Sequence, residues 1–271
     1  MVNLWGIRDR KVTTLPCANP RSLLRADIPG LHAEIYLVGA KQDGVRTFCL
    51  LSAHTGADAA YFFDRALHVR PAPVRCTSLP AYNGTLLDGE MVGDTYVCFD
   101  IVAVDGYSLV NMPYLHRLVV LRRTLASLHG MEVVLKDWNV LSDVSVAQLR
   151  TLAAGGDGLI LQALHGKLSS GTCPGVFKWK SSHTLDLEWR DEQLWLRGKG
   201  SAVLAAQLDI HPTSTYSTGV VECEMRRRKQ GGWWASFVRA RPDKLTPNNL
   251  YVARATLQNA DEALALSELL M

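Results

Sequence analysis

Lys41-Gln42-Asp43-Gly44-Val45-Arg46 stands between two strand-like runs, 33–38 and 45–51, in a chain of 271 residues. Both runs are rich in β-branched and aromatic residues, so the six residues read as a turn at a strand end. A lysine in such a place can reach a bound phosphate, and Gly44, lacking a side chain, lets the backbone come equally close. A lysine that attacks a substrate must be neutral when it does so, a state favoured by neighbouring cations or removal from water. Taken alone, the stretch is also an ordinary surface turn.

Working outward, further strands are expected at 85–92 and 95–104, and both carry acids: Asp88-Gly89-Glu90 in the first, Phe99-Asp100 in the second. A carboxylate inside a buried strand must be paired or bind metal. Asp157-Gly158 opens a strand at 159–162, and Lys178-Trp179-Lys180 closes one begun at 176. Period-two alternation puts these two lysines on one face. Taken one at a time, these groups equally fit a hairpin acid, a core aromatic and a solvated basic edge.

The spacing of Leu115, Leu118, Leu121, Leu125 and Leu128 predicts a helix stopped by Gly130, with Arg117, Arg122 and Arg123 largely off its apolar face. A second helix is expected over 146–154. Beyond Ser181 the character changes to short strands at 185–190, 193–197, 220–225 and 233–238 with polar turns, as in a small antiparallel barrel. Asn259 followed by Glu262 predicts the cap of a last helix ending near Leu270. The expected architecture is α+β in two domains, 1–184 and 185–271.

Composition narrows the classes. With 48% hydrophobic and 20% charged residues, the chain is neither a disordered tail nor a fibrous repeat. A net charge of +3 permits a polyanionic partner without demanding one. No apolar run approaches the roughly 18 residues of a membrane span, and the charged start is unlike an export signal. Six cysteines without a CxxC pair read as free thiols in a reducing compartment, and the histidines form no HxH or HExxH, so zinc has no support. The run Arg226-Arg227-Arg228-Lys229 beside Gly231 reads as a solvated hairpin tip or as a track for RNA.

Together the motifs follow one order, KxDGxR, DGE, FD, DG(L/I)(I/V), KWK and RxDK, which resembles that of the covalent nucleotidyltransferases: mRNA capping guanylyltransferases and ATP-dependent DNA and RNA ligases. The resemblance runs over about residues 16–250. It implies an N-terminal nucleotidyltransferase domain, ATP-grasp-like, of antiparallel sheets with helices, and a small C-terminal OB-fold barrel with a terminal helix. It implies that Lys41 takes the nucleotide, that Asp43, Gly44, Arg46, Arg65, Glu90 and Phe99 belong to the nucleotide site, and that Arg46 meets the ribose while Phe99 stacks on the base. By the same likeness Glu90 and Asp157 are the metal-associated acids, serving Mg²⁺ or Mn²⁺, and Lys178 and Lys180 are ligands of the α-phosphate. Arg241, Asp243 and Lys244 match the last motif, which lies on the OB-fold and orients the leaving pyrophosphate on closure.

Within that superfamily the details resemble the capping branch. The segment Leu15-Pro-Cys-Ala-Asn-Pro-Arg-Ser-Leu23 is similar to a Pro-Gly-x-Gln-Pro-Val-Ser stretch, with Cys17 and Asn19 departing from Gly and Gln. Asp64-Arg65 occurs where ligases tend to have Ser-Arg. The implied reaction is transfer of GMP from GTP, through a lysyl-N-GMP intermediate, to a 5′-diphosphate RNA end. An RNA triphosphatase and a cap methyltransferase would then come from other domains or proteins. The implied setting is nuclear in a cell, or cytoplasmic or virion-associated for a virus. The alternatives are a ligase working through lysyl-AMP and an inactive nucleic-acid-binding relative.

Overall fold

A computed structural model describes residues 18–53, 59–169, 171–198, 202–206, 218–229 and 231–270. Leu15, Pro16 and Cys17 of the proline-bearing segment lie outside the described residues. In chain order the elements are β1 (Ala18–Ser22), α1 (Ile28–Ala33), β2 (Tyr36–Ala40), β3 (Val45–Ser52), β4 (Ala59–Phe63), β5 (Val69–Pro71), β6 (Val74–Cys76), β7 (Thr85–Val92), β8 (Thr95–Val104) and β9 (Tyr107–Ser108). They continue with α2 (Tyr114–Leu125), β10 (Leu128–Gly130), β11 (Val133–Leu135), β12 (Asn139–Val140), α3 (Val146–Ala154), β13 (Leu159–Ala163) and β14 (Gly171–Trp179). The last are β15 (Thr184–Arg190), β16 (Gln193–Arg197), β17 (Ala202–Ala206), β18 (Gly219–Arg227), β19 (Trp233–Ala240) and α4 (Leu250–Glu262).

The chain forms two compact units. The first takes in 28–179 with the strand ahead of it and the last residues of the chain; the second takes in 22–27 and 180–268. In the first, one sheet runs β1-β14-β13-β2-β12, a second β11-β8-β7-β3-β4-β5 with β9 beside β8, and a third pairs β10 with β6. Every pairing in them except β11 with β8 that joins named strands of the second sheet is antiparallel. A core packed on the second sheet, with α2, β6 and β10 contributing to it, is filled by apolar side chains such as Leu51, Phe62, Leu87, Tyr96, Ile101 and Leu121, each almost wholly removed from water. Each such side chain contributes about 1.5–3 kcal/mol.

The helix α2 ends at Leu125, earlier than the leucine spacing predicts. Leu128 leaves it because Leu128–Gly130 pairs antiparallel with β6, so a strand partner overrides the helical period. Its buried face also differs: Leu115 is 38% exposed, whereas Arg117 is 2% exposed. Arg117 is inside because its Nε and Nη2 donate to the two oxygens of Asp100 at 2.8 and 2.9 Å.

The second unit holds an antiparallel sheet in the order β17-β16-β15-β18-β19, with α4 packed on it through Ala253, Leu250 and Leu257. Leu185, Leu187 and Trp189 are buried in alternation along β15, as a one-sided sheet requires. Among the described residues no strand pairing closes this sheet into a barrel. The terminal helix is a correction. It is capped by Asn249, whose Oδ1 accepts the Val252 N–H at 2.9 Å, and it ends at Glu262. Asn259 lies buried in its last turn, donating to the Ala255 carbonyl at 3.0 Å. Among the described residues no helix is long and apolar enough to cross a membrane. Cys49, Cys76, Cys98, Cys173 and Cys223 are buried free thiols.

Candidate active site

Lys41 follows the last residue of β2, and its main chain is fixed on both sides. Its N–H donates to the Gly158 carbonyl at 2.8 Å, and its carbonyl accepts the Asp157 N–H at 2.7 Å. The Asp-Gly pair that opens β13 therefore clasps the lysine. Gly156 allows the approach, because a Cβ there would run into the Lys41 carbonyl. Gly158 has φ +109°, a conformation suited to glycine. The Lys41 ammonium pairs with the Asp157 carboxylate at 2.8 Å.

On the other side of the turn, the Gly44 N–H donates to Glu90 Oε1 at 3.2 Å, and a Cβ on Gly44 would strike the Met91 backbone. Strand pairing places Arg46 opposite Glu90. Burial raises the Glu90 carboxyl above its ordinary range, opposed by the Gly44 N–H and by Lys41, Lys136 and Arg46. Arg46 donates from Nε to Asp88 at 2.9 Å and also from Nη2. Its guanidinium lies 5.3 Å from the Phe99 ring centre. Asp88 is 1% exposed, and burial pushes its carboxyl up while Arg46 pulls it down. The buried acids Asp88 and Asp100 are thus paired with arginines, one of the two outcomes their position demanded.

One cleft gathers Lys41, Arg46, Arg65, Glu90 and Phe99, with apolar walls from Ile160 and Val176. Arg65 donates to Asn19 Oδ1 at 2.8 Å. Asp157 reaches this cleft through its pair with Lys41, and Gly44 through Glu90. Lys178 pairs in register with Ile160 and sits two residues along β14 from Val176, on the same face by alternation. Asp43 is exposed on the turn. Because β14 ends at Trp179, Lys180 lies beyond the strand, and it falls in the second unit. There too are Arg241, Asp243 and Lys244. Arg241 donates to Asp243 at 2.9 and 2.8 Å, to Asp186 at 2.9 Å and to Glu222 at 3.4 Å. These bonds from Arg241 hold the Asp243 carboxyl down at about 2.

Sequence reasoning missed two cleft residues. Lys136 is buried, and its Nζ donates to the Ala40 carbonyl and, at 2.7 Å, to Gln42 Oε1. It therefore ties down the residues on either side of Lys41. Burial lowers its ammonium to about 8 from 10.5. The available signal was a lone lysine directly after the apolar run Val133-Val134-Leu135, ahead of Trp138. Gln162 on β13 is also buried and lines the cleft. No motif marks it.

Among the described residues no three His, Cys, Asp or Glu side chains converge on one point. Glu90 and Asp157 instead flank the turn from two sides, and hard carboxylate donors in that number suit a cation such as Mg²⁺ that also keeps waters and substrate phosphate oxygens. The donor set fits an ion shared with substrate.

Residues 2–182 match the family model described as mRNA capping enzyme, catalytic domain. The chain is 26% identical to the mRNA-capping enzyme subunit alpha of Neurospora crassa, across 68% of this chain and 55% of that one. It is 25% identical to the mRNA-capping enzyme of Caenorhabditis elegans, across 90% of this chain and 46% of that one. The chain thus spans about half the length of the curated relatives it matches. Among solved structures, a chain from a study of Lig E DNA ligases superposes with a TM-score of 0.44 at 16% identity, covering 83% of this chain and 98% of that one.

Proposed function

The chain belongs to the family of mRNA capping enzyme catalytic domains, and from that premise we propose that it is an mRNA guanylyltransferase with Lys41 as its nucleophile. The observation that carries this reading is the placement of Lys41: main chain clasped by Asp157-Gly158, amine at a cleft that also holds Arg46, Glu90 and Phe99. In the first half-reaction Lys41 Nζ, having given up its proton, attacks the α-phosphorus of GTP. A P–N bond forms, the P–O bond to pyrophosphate breaks, and pyrophosphate leaves with the electron pair. In the second, a terminal oxygen of 5′-diphosphate RNA attacks the same phosphorus, the P–N bond breaks, and the nitrogen takes up a proton from solvent to restore the amine.

The protein acts mainly by position and charge. Asp157 holds the amine at the cleft until substrate enters, Phe99 offers a ring face to the base, and Arg46 is oriented by Asp88. Lys178 faces the α-phosphate oxygens. Arg241, Asp243 and Lys244 serve the leaving pyrophosphate, on a second unit that we read as an OB-fold. Glu90 and Asp157 would hold Mg²⁺ or Mn²⁺, which supplies Lewis-acid neutralisation of phosphate charge when bound. Other proteins or domains of the capping apparatus supply the triphosphatase and methyltransferase steps, in the compartment where transcripts are capped.

Incubation with α-labelled GTP and divalent metal is expected to leave acid-labile label on Lys41. The variant Lys41→Ala is expected to lose it while keeping the wild-type circular dichroism, since the side chain supplies chemistry and little packing. Equal labelling by ATP would move the chain to the ligases, and label retained in the variant would exclude Lys41.

A further inference from the structure

We propose that Gln162 is a specificity-determining residue that reads the donor edge of guanine; this rests on the guanylyltransferase reading of the cleft. Gln162 sits on β13, the strand opened by Asp157-Gly158, two residues beyond Ile160 and therefore on the same face. Its side chain lines the cleft shared by Lys41 and Phe99, and the residue is only 7% exposed. A polar side chain so deep is costly unless its hydrogen bonds are made.

Half of them are. Gln162 Nε2 donates to the Ala163 carbonyl at 3.1 Å. That bond also decides which way round the amide lies, since the opposite orientation would set two oxygens against each other. One of its two N–H groups is taken up by the backbone, and the amide keeps Oε1, an acceptor with two lone pairs, beside the second N–H. Among the described residues no donor is recorded for that oxygen.

An acceptor set against the N1 and C2 positions of the base discriminates between purines. Ring faces do not: either base stacks on Phe99 and slides against Ile160. Guanine carries two donors on its Watson–Crick edge, N1–H and the 2-amino group. Adenine has a lone pair at N1 and only C2–H in place of the amine, and its one donor on that edge is the 6-amino group, where guanine has an acceptor. An acceptor such as Oε1 accepts from guanine and meets the adenine N1 lone pair with repulsion. Hypoxanthine keeps N1–H and lacks the amine, so it tests how much of the contact lies at each position.

The experiment measures lysyl-nucleotide formation from GTP, ITP and ATP in the full chain, for wild type, Gln162→Leu and Gln162→Asn. Wild type is expected to prefer GTP to ATP, and Gln162→Leu to reduce that ratio by about tenfold to a hundredfold, as loss of a buried hydrogen bond does. Gln162→Asn, which withdraws the acceptor by one methylene, should also lower the ratio. The ratio within one protein is insensitive to a fold defect, which lowers all three nucleotides alike; should the leucine variant be insoluble, the asparagine variant decides. A wild-type ratio preserved in the leucine or asparagine variant overturns the role of Gln162 and leaves the enzyme assignment standing. No adduct from any nucleotide in wild type overturns the enzyme assignment itself.

Discussion

Lys136 shows how one buried cation shapes the stability of the site. Its ammonium is held at about 8 by burial, against 10.5 in water. Between those values the unfolded chain keeps a proton that the folded chain has released, so folding stability rises with pH across this window. Wild type is therefore expected to gain on Lys136→Met as pH is raised from 8 to 10.5, by a difference approaching about 3 kcal/mol in urea unfolding. A flat difference would show that Lys136 keeps its ordinary titration. At this scale the motif residues were legible in the sequence, because a turn lysine, Gly44 and the Asp-Gly of β13 need particular residue types at fixed spacing. Lys136 and Gln162 were not. Their places follow from which strands lie side by side, and a single lysine after an apolar run carries no trace of the carbonyls it will meet.

Elements were legible where local and tertiary preferences agree. β7, β8, α3 and β16 occupy the residues that alternation and helical spacing predict, and Ser145 closes a capping box with Gln148 at the start of α3. The misreading at Leu128 arose where a strand partner overruled the local pattern, whereas α4 starts from an earlier local cap, Asn249. The burial of Arg117 is the strongest case. Its guanidinium joins α2 to Asp100 on β8 and, through Nη1, to the carbonyls of Met112 at 2.6 Å and Gly166 at 3.2 Å. Replacing it by Met leaves Asp100 charged and enclosed. The expected loss is about 3–5 kcal/mol in denaturant unfolding, and a companion change of Asp100→Leu should restore much of it. If the single variant is as stable as wild type, Arg117 does not anchor the helix.

On the scale of the whole molecule, the family match ends at residue 182, close to the division of the chain into its two units. The RxDK residues lie in the second, and their surroundings separate chemistry from stability. Lys244 is exposed, whereas Arg241 is surrounded by Asp186, Glu222 and Asp243. Lys244→Ala is expected to slow adduct formation from GTP with thermal unfolding shifted by no more than about 0.5 kcal/mol. Arg241→Ala should lower both, because it strips the shared partner from three carboxylates. A Lys244→Ala protein with the wild-type rate of adduct formation would remove that residue from the reaction. In the neighbouring basic run, Arg226 pairs with Glu224 and Arg227 with Asp261, which favours the hairpin-tip reading over a track for RNA.

The clasp on the Lys41 peptide sets the logistics of the two half-reactions. With N–H and C=O both bolted to the start of β13, only the four-carbon tether beyond Cα can swing. A nucleotide bonded to that amine is moored within one side chain's radius of where it was captured. On the proposed reaction, docked GMP could not be ferried to a distant acceptor; the transcript would travel to the berth.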